Sequence, residues 1–307
     1  MTRFVPSWFE RHYGDNNCNG TSGSARIQLL HKANSSKTGI AKLSTEAPLL
    51  VQRALYPDVK YSGMAHIYLM SSAGGVLQGD RLEIELDAGC GTMSRITTQS
   101  ATKIYRMDKG FAAQWVRISA GRKSYVEFLP RQLIPFGSSR FCQDVSITVG
   151  DASNVVYSET VAAGRTASGE RFDFDACYLR LQATDPDGRL LFSDVCNMEP
   201  ERIGRDALER LFGGKAIWST VYAIVDPSIR ARVEEEIGSS VQKSPLLAGY
   251  SMLPNDCGLV VRMLDDSIDR VENMIMSIAQ IVRSLAASNS MQAEEQENKK
   301  KKEKNAS

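Results

Sequence analysis

The sequence predicts a mainly β protein: a single β-rich domain of many short strands, with two or three helices, the last of them C-terminal and amphipathic. Three observations lead to this reading. Through the middle of the chain, apolar residues alternate with polar ones at period two, the signature of half-buried strands. Gly, Asp, Pro and Asn punctuate those runs, as in the DPDG at 185–188. Helical spacing replaces the alternation in only three places.

Along the chain, residues 14–24, GDNNCNGTSGS, are a loop by composition. Leu82, Ile84 and Leu86 alternate with Arg81, Glu83, Glu85 and Asp87, and Val145, Ile147 and Val149 alternate with Asp144, Ser146 and Thr148. Further strands are predicted over 113–119, 124–129, 155–160, 177–184, 190–195, 217–225 and 258–264. Residues 201–212 and 227–237 read as short helices, the second with Ile229, Val233 and Ile237 on one face. From Asp266 to Ala287, the residues Ile268, Val271, Ile275, Ile278, Val282 and Leu285 recur at helical spacing. That face either packs on the protein's own sheet or docks on a partner.

With 307 residues and 42% hydrophobic content, the chain can bury one substantial core or two small ones. Its 37 basic residues nearly balance 36 acidic ones, so no global field points to nucleic acid or membrane. The concentrated charge is the tail, Lys299 to Lys302 with Lys304. The domain therefore spans 26–287, between a flexible N-terminal extension (1–25) and a disordered charged tail (288–307). The six cysteines form no CxxC pair and read as small hydrophobes of a reducing compartment. No signal peptide or membrane-length apolar run is present, which places the protein in the cytoplasm.

Enzyme signatures are missing as well. The chain has no GxxxxGK[ST] loop, GxGxxG, HExxH or GxSxG. Its three histidines, His12, His31 and His66, are scattered, and no local group of imidazoles and thiolates offers a tight nickel site. His66, in AHIYLM, reads as a sheet-face residue.

Specific blocks remain. GGVLQGDRL at 74–82 is a glycine-rich turn into a strand, where Asp80 can satisfy nearby amides. TTQSATKIYRM at 97–107 crowds hydroxyl and amide side chains as if to line a wet passage. FLPRQLIPFGSSRF at 128–141 precedes SETVAAGRTASGERFDF at 158–174, in which Glu159 interrupts an apolar strand and Glu170 lies near Arg165 and Arg171. A carboxylate inside a sheet is costly unless it is paired, hydrated or bound to a cation.

In order and spacing (GG-x-x-x-GD, TTQ-ATK-YR, LP-Q-IPF, GR-x-x-x-GE-F, then LVVRML at 259–264 and a terminal helix) these blocks resemble the UreD, or UreH, family of urease accessory proteins. The resemblance spans roughly 26–287. The N-terminal extension and lysine tail suggest a eukaryotic-type member. What the resemblance implies is a solenoid- or β-helix-like winding, which periodicity alone does not distinguish from a sandwich. It also implies a non-enzymatic scaffold in the nickel loading of apo-urease, acting with a UreF-type accessory protein and, through it, a UreG-type GTPase. Nickel(II) would be in transit through a polar internal tunnel, with no tightly bound cofactor. The positions matching the family's motifs, and hence the candidate nickel contacts, are Asp80, Thr102, Glu127, Glu159 and Glu170. Two rival readings are an enzyme using paired carboxylates and a β-structured interaction module with no metal role.

Overall fold

The alternating runs build a wound sheet pair. The structure, a computed structural model, describes residues 3–15, 18–32 and 35–305, with side chains through Ser290. In chain order the strands are β1 (Ser22–His31), β2 (Thr38–Glu46), β3 (Leu49–Val51), β4 (Ala65–Ser71), β5 (Arg81–Ala88), β6 (Met93–Thr98), β7 (Thr102–Ile104), β8 (Ala112–Ala120) and β9 (Tyr125–Phe128). They continue as β10 (Leu133–Pro135), β11 (Arg140–Val149), β12 (Asn154–Ala162), β13 (Ala176–Thr184), β14 (Leu190–Met198), β15 (Ile217–Ile224), β16 (Leu247–Met252) and β17 (Gly258–Asp265).

The first sheet runs β14-β13-β11-β8-β5-β1-β2, and the main path of the second runs β16-β17-β15-β12-β9-β6-β4-β3. The chain alternates between them. β5, β8, β11 and β13 stack parallel in one sheet, and β4, β6, β9 and β12 do so in the other. Each coil thus lays one strand in each sheet, the solenoid-like winding expected from the family resemblance. Antiparallel strands flank the parallel stack: β2 and β3 at one end, β14, β15, β17 and β16 at the other.

The parallel register sets like side chains above one another. Ile84, Val116, Val145 and Leu181 align across the first sheet, and Ile67, Ile96, Phe128 and Tyr157 across the second. These eight residues belong to one buried cluster between the sheets. A second apolar layer lies on the outer face of the second sheet, under α4 (Pro227–Lys243) and α5 (Ile268–Asn305). Val271, Ile275, Ile278, Val282 and Leu285 are all buried there, so the predicted apolar stripe packs on its own domain.

The remaining elements depart in detail from the sequence reading. Helix 201–212 is divided into α2 (Pro200–Ile203) and α3 (Arg205–Leu211) by Gly204, whose φ of 92° is left-handed. Strands β1 and β2 were not anticipated, because β2 is exposed along most of its length and β1 begins inside a loop-like composition. Within the N-terminal segment, helix α1 (Ser7–Tyr13) packs on the outer face of the first sheet. Phe9 is fully buried against Phe111 and Tyr178, and Trp115 Nε1 donates to the Phe4 carbonyl at 3.0 Å. At the other end, α5 continues as helix to Asn305. Of the cysteines, Cys142, Cys177 and Cys257 are buried as expected, but Cys90 is exposed. Among the described residues no helix is long and apolar enough to cross a membrane.

Candidate functional site

Among the polar residues that face the inter-sheet core, three are linked side chain to side chain. Gln114 shares the face of Val116 and Ile118 on β8, Gln143 that of Val145 and Ile147 on β11, and Glu159 that of Tyr157 and Val161 on β12. They form a chain: Gln114 Nε2 donates to Gln143 Oε1 at 3.0 Å, and Gln143 Nε2 donates to Glu159 Oε2 at 3.1 Å. Tyr157 Oη donates to the same carboxylate oxygen at 3.2 Å. Among the described residues no basic side chain forms an ion pair with Glu159. Burial is the main cause that pushes its carboxyl up to about 7. The hydrogen bond from Tyr157 opposes that, the negative field of Asp194 reinforces it, and the hydrogen bond from Gln143 opposes it.

Around this chain the two sheets do not close. A cavity of about 110 Å³ is lined by Thr98, Gln99, Ser100, Thr102, Gln114, Gln143, Tyr157, Glu159 and Thr160 together with apolar neighbours. A second cavity, about 300 Å³, is lined by Asp194, Cys196, Trp218, Thr220, Tyr222 and Arg262, and again by Glu159. Glu159 is the residue common to both linings. The first cavity reaches the surface near Ser100 and Arg131, the second near Val195 and Arg262, all four of them exposed. The Asp194 carboxylate is held by Arg262 and by the Tyr222 hydroxyl at 2.9 Å.

The five sequence candidates separate on this map. Thr102 and Glu159 line the first cavity. Asp80 is buried elsewhere, in the turn that enters β5. One of its oxygens accepts from the Thr21 amide at 2.9 Å and the other from the Leu77 amide at 2.8 Å. This is the amide-satisfying role its glycine-rich context allows. Gly79 before it has φ 80°, and a Cβ there would come within 2.8 Å of the Gly20 nitrogen.

Glu127 is fully buried but on the opposite, helix-facing side of the second sheet. There it pairs with Arg95, lies 3.7 Å from Arg283 and accepts from Tyr125 Oη at 2.7 Å. Glu170 sits at the protein's edge, where Arg165 Nε donates to it at 2.9 Å and the Gly137 amide at 3.1 Å. The Arg165 hydrogen bond holds its carboxyl below the usual range. Arg171, the other partner considered, pairs with Glu209 instead.

Sequence reasoning did not single out Gln114, Gln143 and Asp194. For the two glutamines a signal existed, since each is a polar residue in phase with inward aliphatics. From the TTQSATKIYRM block, Thr98, Gln99, Ser100 and Thr102 line the first cavity.

A family profile described as UreD urease accessory protein matches residues 22–296. A "Urease accessory protein UreD" of Cenarchaeum symbiosum is 35% identical over 260 residues, which is 84% of this chain and 91% of that relative. A "Urease accessory protein UreD 2" of Streptomyces griseus is 36% identical over 260 residues, covering 84% of this chain and 89% of the relative. A third relative, from Brucella canis, bears the same name and is 34% identical over 271 residues, 87% of this chain and 89% of its own.

Proposed function

The chain belongs to the UreD urease accessory protein family, and on that premise we propose that it is a non-catalytic scaffold through which nickel(II) reaches apo-urease. In this reading it works in the cytoplasm with a UreF-type accessory protein and, through that partner, a UreG-type GTPase.

The observation that carries the reading is the pair of inter-sheet cavities meeting at Glu159. Their linings offer nickel oxygen donors: the hydroxyls of Thr98, Ser100, Thr102 and Thr160, and one carboxylate without a basic partner. Nickel(II) binds imidazole and thiolate more tightly than such oxygens, so a path of hydroxyl, amide and carboxylate groups lets the ion leave each station. A metal ion beside Glu159 would also supply the positive charge that this buried carboxylate lacks. Of the five candidates, this reading assigns contact with the ion in transit to Thr102 and Glu159, which line the first cavity. Asp80, Glu127 and Glu170 already spend their oxygens on backbone amides or arginines.

The test is co-expression of urease with its accessory proteins and this chain, either unaltered or carrying Glu159→Gln or Thr102→Val. The expected result is normal complex formation with urease of reduced nickel content and activity. Full nickel loading by both folded variants, or by cells lacking this chain, would overturn the reading.

A further inference from the structure

The helix-facing side of the second sheet carries polar side chains where an apolar layer is the norm. His66, Arg95 and Glu127 stand side by side across β4, β6 and β9, and Tyr68 pairs with Thr97 one step along. Between these rows and α5 lies a cleft of about 180 Å³. We infer that this cleft binds a small oxyanion of the sulfate or phosphate class, held by Arg95, Ser158, His66 and Arg131.

The argument rests on unused hydrogen-bonding groups. Among the described residues Arg95 Nη2, His66 Nε2 and Ser158 Oγ are buried and find no hydrogen-bond partner, and all three residues line this one cleft. Buried polar atoms are nearly always satisfied, and three beside one cavity mark a missing common partner. The cleft's two ion pairs leave donors to spare. Arg95 meets Glu127 through Nε, and Arg131 meets Glu272 through Nη1, so each guanidinium keeps other N–H groups. Both carboxylates, by contrast, are already engaged.

An excess of donors and two guanidinium groups disfavour a cation and suit an anion. Burial first, and the Arg95 charge second, lower the His66 pKa, and the neutral ring can carry its proton on Nε2 and donate it. At roughly 30 Å³ per water, the space accepts a tetrahedral oxyanion and a few waters. Tyr68 and Met276, 37% and 40% exposed, form its rim. Arg131 lines both this cleft and the mouth of the first cavity, but Glu159 lies on the other face of the sheet and Ser158 lines the cleft alone, so anion binding read on Ser158→Ala is tested separately from nickel transit.

Isothermal titration of the full chain with sodium sulfate and with inorganic phosphate, against chloride at matched ionic strength, tests this. Ser158→Ala is the informative variant, since among the described residues the hydroxyl has no hydrogen-bond partner and its loss is expected to leave folding intact. A thermal melt checks that point. Saturable one-to-one binding is expected, weakened about tenfold by Ser158→Ala, the effect of one hydrogen bond to a charged group. Arg131→Gln should weaken it further. No saturable binding of either anion, unchanged affinity in both variants, or a crystal grown in sulfate with only waters in the cleft would overturn the assignment.

Discussion

Arg283 of α5 reaches through the helix–sheet layer to within 3.7 Å of Glu127, a carboxylate with no solvent exposure on β9. Arg95 pairs with the same group, Tyr125 Oη joins it to the Ala279 carbonyl of the helix, and Asp58 lies 3.4 Å from Arg283. The last helix is thus pinned to the solenoid by a buried charged network as well as by its aliphatic stripe.

That pin gives the first prediction. Glu127→Ala strands two largely buried arginines, Arg95 and Arg283. It should cost about 3–5 kcal/mol, as removal of one partner from a buried pair does. Urea unfolding followed by circular dichroism measures it. A loss below about 1 kcal/mol would show that water already solvates the network.

The aliphatic stripe gives the second. Ile275 and Ile278 are 5% and 0% exposed, each contributing roughly 1.5–3 kcal/mol by burial. Replacing both by Asp should leave the protein unfolded or insoluble. Truncation after Asn289, which keeps the bond from Asn289 Nδ2 to Ser228 Oγ, should leave the melting temperature unchanged.

A third concerns Asp80. With both oxygens holding amides, Asp80→Ala should destabilise the turn by about 1–3 kcal/mol, whereas Asp80→Asn, able to keep one acceptor, should cost less. Equal losses in a denaturant titration would show that charge, not hydrogen bonding, is what the turn requires.

The fourth follows from Glu159. Its carboxyl is raised from an ordinary 4.5 to about 7, so between these values the folded state holds a proton that the unfolded state releases. Stability contributed by the protonated group is intact below pH 4.5 and is lost as pH rises toward 7, by on the order of 2–3 kcal/mol. Glu159→Gln removes that dependence and should be the more stable protein at pH 8, with a flatter stability profile from pH 5 to 7. Melts across that range decide the matter, and parallel profiles for the two proteins would refute it.

The sequence by itself determined the β-rich class, the strands from β5 onward that alternate cleanly, the helices and the family blocks. Those features are written in near-neighbour patterns: the two-residue period of a half-buried strand and the helical repeat of α5. It also carried the anomaly of Glu159, a carboxylate on an apolar strand.

Tertiary structure decided what these residues meet. Asp80, Glu127 and Glu170 look alike as acids in the sequence, and each has a near partner in Leu77, Tyr125 or Arg165, yet Thr21, Arg283 and Gly137, which complete their surroundings, lie 59, 156 and 33 residues away. Local pattern holds no record of such distances. Helix α1 escaped for the same reason: Phe9, in a short stretch without a clear period, becomes core only because the winding brings Phe111 and Tyr178 beside it. The cavities, too, belong to the fold alone. The first of them lies where Gln114 and Gln143, side by side in the first sheet, meet Glu159 of the second, a meeting that only the winding of the chain brings about.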